Sequence, residues 1–68
     1  MKRTLPRILK DWLRDCEMDP NGMSDAKLLM EADWCLECLE NGDEVFRAEH
    51  YHPNSVAALR RFVRRLRA

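Results

Sequence analysis

The 68-residue sequence has no apolar run that approaches the roughly 20 residues needed to cross a bilayer. Its first residues are basic, but no apolar segment typical of a signal peptide follows them. We therefore expect a cytoplasmic protein without membrane contact. The length allows one domain, residues 1–68.

Recognisable catalytic motifs are also missing. There is no glycine-rich phosphate loop, no nucleophile elbow and no carboxylate pair beyond ordinary surface acids. His50 and His52 flank Tyr51 and could exchange protons, but nothing else completes a catalytic set. A core this small leaves little room for a pocket of about 300 Å³. We expect no enzymatic activity, no cofactor and no small-molecule substrate.

Three cysteines, an odd number, favour reduced thiols over a disulfide framework. Cys35 and Cys38, with His50 and His52 or with Cys16, are residue types that bind zinc. However, the H-x-H spacing is unusually tight, and the C-x2-C pair lies late in a predicted helix. We expect buried thiols that pack as small apolar side chains, and no metal site.

Charge is abundant and unevenly distributed. Charged residues make up 35% of the sequence, and the net charge is zero. Residues 1–14 carry +4, residues 15–49 carry −9 and residues 50–68 carry +5. Basic ends could fold back on the acidic middle, or they could present a basic surface to an acidic partner. We favour internal pairing. In this arrangement three acids of the second helix (Asp33, Glu37 and Glu40) meet Arg60, Arg61 or Arg64 of the last.

Hydrophobic periodicity predicts an all-α fold, a small three-helix bundle with helices at about 5–18, 24–40 and 54–67. Thr4, Ser24 and either Asn54 or Ser55 are the expected N-caps. Gly42 should close the second helix in a left-handed conformation. Residues 43–49 could be a short fourth helix or an extended connector, and we favour the helix. The expected core consists of Ile8, Leu9, Trp12, Leu13, Leu28, Ala32, Cys35, Leu36, Leu39, Val56, Leu59, Phe62, Val63 and Leu66.

A second apolar stripe on the middle helix is the first candidate binding surface. Met30, Trp34 and Cys38 recur at intervals of four residues, apart from the main apolar face. Tryptophan is enriched at binding hot spots, and methionine adapts to irregular surfaces. The stripe could lie in a homodimer interface, or the connector could cover it with Phe46 and Tyr51; both alternatives stay open.

The basic face of the last helix is the second candidate surface. Its members are Arg60, Arg61, Arg64, Arg65 and Arg67, and a smaller basic face on the first helix holds Arg7, Lys10 and Arg14. Such a face could neutralise phosphates, although it lacks the Asn, Gln or Ser variety of a recognition helix. The long connector also argues against a helix-turn-helix motif.

The leading functional hypothesis is a small binding protein that regulates or inhibits a larger macromolecule by docking a helical face. Nucleic-acid binding through the arginine face is the alternative, and a structural subunit of a homo-oligomer is the third. Very small, highly charged helical chains without a catalytic set are typical of phage or mobile-element accessory proteins.

Overall fold

Three α-helices form the fold in the computed structural model, which describes residues 4–68. They are α1 (Arg7–Asp15), α2 (Asp25–Asn41) and α3 (Pro53–Arg67), with short 3-10 turns at Pro20–Gly22 and Ala48–His50. No strand occurs among the described residues. The predicted all-α three-helix fold is confirmed; residues 1–3 of the predicted domain lie outside the described part. None of the described helices combines the length and the apolarity that a bilayer crossing requires.

Helix α1 is shorter than predicted at both ends. Pro6, in an extended conformation, occupies the N-cap position instead of Thr4, and no side chain of residues 4–68 caps the helix. At the other end Glu17 adopts a left-handed φ of 57°. The Met18 N–H then donates to the Leu13 carbonyl at 2.8 Å, the pairing of a Schellman motif. This motif turns the chain out of the helix before the predicted end.

Both predicted ends of α2 are confirmed. The Ser24 Oγ accepts a hydrogen bond from the Lys27 N–H at 3.2 Å, which satisfies one of the unpaired donors of the first turn. At the C-terminus Gly42 has a φ of 74°, and the Asp43 N–H donates to the Cys38 carbonyl at 3.0 Å. Glycine suits this position because it has no Cβ to resist a left-handed backbone.

The predicted short helix at 43–49 is wrong. The Asp43 carboxylate accepts hydrogen bonds from the N–H groups of Val45, at 3.1 Å, and Phe46, at 3.2 Å. This local pairing favours a turn over a helix. Only the 3-10 turn Ala48–His50 is helical in this segment.

The predicted N-caps of α3 are also wrong. The His52 Nδ1 accepts a hydrogen bond from the Asn54 N–H at 3.1 Å, so His52 is the cap rather than Asn54 or Ser55. Pro53 takes the first helical position, where a missing N–H leaves no hydrogen bond unmade.

A single hydrophobic core joins the three helices and the connector. Its buried members are Ile8, Leu9, Leu13, Leu28, Ala32, Cys35, Leu39, Phe46, Val56, Leu59, Phe62 and Val63. Trp12, Leu36 and Leu66 were expected in the core but lie partly exposed at its edge. Phe46 was not expected there; its ring meets that of Trp12 edge-on, with centroids 5.0 Å apart.

Helices α2 and α3 run antiparallel, as their ion pairs show. Arg60 approaches Glu40 at 3.9 Å, while Arg67 pairs with Asp33. Residue numbers therefore rise along α3 as they fall along α2. Helix α1 packs against both.

Candidate partner-binding surfaces

The second apolar stripe of α2 lies largely on the molecular surface. Trp34 is 57% exposed and Met30 is 49% exposed. Cys38, the third member, is partly buried at the edge of the core. The stripe thus begins at the core margin and continues as an exposed Trp34–Met30 ridge.

The connector does not cover this ridge. Phe46, which was one candidate to do so, is buried against Trp12 of α1 instead. Tyr51, the other candidate, donates a hydrogen bond to Asp11 of α1 at 3.4 Å. The alternative in which the connector buries the stripe is therefore wrong for Trp34.

A buried carboxylate borders the stripe on the side of α2 that faces α1. Glu31 is only 3% exposed, and it accepts hydrogen bonds from the Trp12 Nε1 at 3.0 Å and the Lys27 Nζ at 3.1 Å. The bond from Trp12 holds the pKa of Glu31 below its usual value, with help from Lys27 and against the effect of burial. Because Glu31 points inward to α1, the neighbouring Met30 is turned away from the core.

Sequence reasoning missed this role of Glu31, although two signals were present. A tryptophan near a core needs an acceptor for its indole N–H. Lys27 and Glu31 are also spaced i, i+4, which places their side chains together on a helix. Neither signal by itself identifies Glu31 as the acceptor.

Acidic groups surround the Trp34–Met30 ridge. Two surface hollows adjoin the indole, of about 370 Å³ and about 220 Å³, and both are lined by Trp34 and Glu37. Asp43 lines the first and Asp33 the second. Asp33 is neutralised by Arg67, but Glu37 has no ion pair with any residue from 4 to 68. The face therefore combines exposed apolar surface with uncompensated negative charge.

The arginines of α3 divide into two sets. Arg60 and Arg67 lie on the flank that faces α2 and pair with its acids. In contrast, Arg61, Arg64 and Arg65 are exposed and line a common hollow of about 640 Å³ with Ala68. The predicted pairing is thus present for Arg60 and absent, within residues 4–68, for Arg61 and Arg64. The pairing of Arg67 with Asp33 was not predicted.

The smaller basic face lies on α1. Arg7, Lys10 and Arg14 are all exposed. Arg14 pairs with Asp11 of its own helix at 3.1 Å. Helix α1 packs against α3.

The cysteines and histidines do not form a cluster. Cys35 is buried, and burial, helped by nearby negative groups, raises the pKa of its thiol to about 12. Burial also raises the pKa of Cys38, as do Asp43 and Glu37. Such thiols stay protonated and poorly nucleophilic. Among residues 4–68, no group of three His, Cys, Asp or Glu side chains is arranged to hold a metal ion.

The two exposed surfaces differ in what they can bind. The α2 face offers an aromatic ridge with an acidic border, and the α3 face offers guanidinium groups without a neighbouring apolar anchor. Comparison with known proteins finds no matching family model, no similar curated protein and no similar solved structure.

Proposed function

We propose that this chain is a small non-enzymatic binding protein that docks the α2 face, centred on Trp34, onto a larger protein. The observation that carries the proposal is the exposure of Trp34 beside Met30, with a hollow on either side of the indole. An exposed tryptophan next to concave surface is the usual anchor of a protein interface. A module of this size acts by occupying its partner's surface, and in that way it regulates or inhibits the partner.

The charge of the α2 face favours a basic partner over a second copy of the chain. In a twofold dimer the same patch meets itself, so Glu37 and Asp43 would find acidic counterparts. Like charges in an interface oppose association. We therefore propose that the occupant is a segment with Lys or Arg around an apolar strip, and that the chain does not dimerise through this face.

The shape of the ridge favours a helical segment. Met30 and Cys38 are eight residues apart, which is about 12 Å along a helix. An amphipathic helix can lay an apolar stripe of similar length against this ridge. Its basic flanks would then lie next to Glu37 and Asp43.

A titration with a designed peptide tests this proposal. The probe is a fluorescein-labelled 18-residue amphipathic helix of Leu and Lys, and its binding to the wild-type chain is followed by fluorescence anisotropy. Trp34→Ala should weaken binding at least tenfold. A peptide with Glu in place of Lys should not bind.

Matched variants separate the acidic border from overall charge. Glu37→Lys borders the ridge and should weaken binding of the Lys peptide, whereas Glu49→Lys makes the same charge change in the connector, where Glu49 pairs with Arg47. Equal affinity of wild type and Trp34→Ala, or equal effects of the two charge changes, would refute the proposal. A dimer in light scattering that Trp34→Ala dissociates would identify a second copy as the occupant instead.

A further inference from the structure

Helix α3 carries a basic site that the α2 docking face does not use. At 100° per residue, Arg61, Arg64 and Arg65 centre on the side of the helix farthest from its buried residues. The guanidinium of Arg65 lies over the Phe62 ring, 5.9 Å from its centroid. That contact orients one guanidinium of the group while leaving its donors exposed.

The charge of these three arginines is not neutralised within the described chain. None of them forms an ion pair with an acidic side chain of residues 4–68, whereas Arg60 and Arg67 on the same helix do. Residues 50–68 contain no acid. The three arginines therefore line one hollow, and no acidic side chain of residues 4–68 forms an ion pair with their guanidinium groups.

We propose that Arg61, Arg64 and Arg65 bind the phosphate backbone of a nucleic acid. The planar guanidinium donates paired hydrogen bonds that match phosphate oxygens. An acidic protein is a poorer match because a protein interface needs an apolar anchor. The large exposed apolar residues of the described chain are Met30, Trp34 and Val45, and none of them lies on α3.

The composition of the site also sets its selectivity. Sequence is read by side chains that reach base edges, whereas contacts to phosphate position the protein without reading sequence. Among residues 4–68, the hollow is lined by three arginines and Ala68. Binding is therefore independent of base sequence and driven by the release of counterions.

The test is fluorescence anisotropy with a labelled 20-base-pair duplex of mixed sequence at 50 to 200 mM salt. Three phosphate contacts correspond to a slope of about −2.7 in log K against log salt, or a loss of affinity of about 40-fold over this range. Arg64→Gln should reduce the slope by about 0.9. Arg67→Gln removes the same charge from the same helix, but from an arginine already paired with Asp33, and should leave the slope unchanged.

Three results would contradict the proposed phosphate binding. A wild-type slope near zero would exclude phosphate binding, and equal effects of Arg64→Gln and Arg67→Gln would show that only net charge matters. Poly-glutamate that binds as tightly as the duplex would assign the site to an acidic protein. Trp34→Ala should bind the duplex as wild type does, so this test and that of the α2 face can fail independently.

Discussion

The hydrogen bond from the Trp12 indole to the Glu31 carboxylate should contribute measurably to the free energy of unfolding. Replacing Glu31 with Gln keeps an acceptor for the indole N–H but removes the negative charge. Hydrogen bonds to a charged group contribute about 1.5–3 kcal/mol, and neutral ones about 0.5–1.5 kcal/mol. The ion pair with the half-exposed Lys27 adds only about 0.2–0.5 kcal/mol. We expect Glu31→Gln to lower the free energy of unfolding by about 1.5 kcal/mol, or Tm by about 6–12 °C in a domain this small.

The effect of Glu31→Gln should depend on pH in a defined direction. The folded protein holds the pKa of Glu31 below the ordinary value of 4.5, so the charge stabilises the fold above that value. This stabilisation is lost as pH falls through the lowered pKa, because the carboxyl then becomes protonated in both states. Urea unfolding followed by circular dichroism should show the full difference between wild type and variant at pH 7 and a smaller one near pH 3. A difference of the same size at both pH values, or a variant more stable than wild type at pH 7, would refute the assigned role of the carboxylate.

Three further predictions concern the helix ends and the buried thiol. Glu17→Gly should raise the free energy of unfolding by about 1 kcal/mol, because a left-handed backbone costs a residue with a Cβ about 1–2 kcal/mol. A lower Tm of Glu17→Gly in thermal unfolding would contradict this. Gly42→Ala should have the opposite sign and similar size, since a Cβ there meets open space and only the backbone is strained; an unchanged Tm would count against it. Iodoacetamide at pH 8 should modify exposed Cys16 in the folded protein but Cys35 only after unfolding, as mass spectrometry of the peptides can measure; early modification of Cys35 would show that it is not buried.

The parts of the fold that the sequence predicted depend on local rules. Apolar periodicity identified all three helices, and Ser24 and Gly42 marked the ends of α2 because capping involves only neighbouring residues. The left-handed Glu17 escaped prediction because glutamate rarely adopts this conformation. His52 escaped because histidine is not a preferred N-cap residue.

The parts that could not be predicted depend on contacts between distant residues. Phe46 enters the core because Asp43 turns the connector and Trp12 offers a ring, a pairing across 34 positions of sequence. The packing of Phe46 against Trp12 also determines whether the α2 stripe is exposed. Trp34 was recognised as surplus apolar surface from its spacing, but only the position of Phe46 shows that the connector leaves it exposed.

The arginine face of α3 could likewise be predicted only in part from the sequence. A helical wheel places all five arginines of α3 on one half, but it cannot tell which of them face α2. The antiparallel packing of α2 and α3 pairs Arg60 and Arg67 with acids and leaves Arg61, Arg64 and Arg65 outside.

The free energy of unfolding of Trp34→Ala, at two protein concentrations, tests most directly whether Trp34 is exposed and free of a second copy, as docking on a partner requires. An exposed side chain with no structural role predicts a change within about 0.5 kcal/mol of wild type at both concentrations. A loss of about 3–5 kcal/mol at both would mean that the indole is buried in the core. A loss that grows with protein concentration would mean that it is buried against a second copy, and either result would contradict the account given for α2.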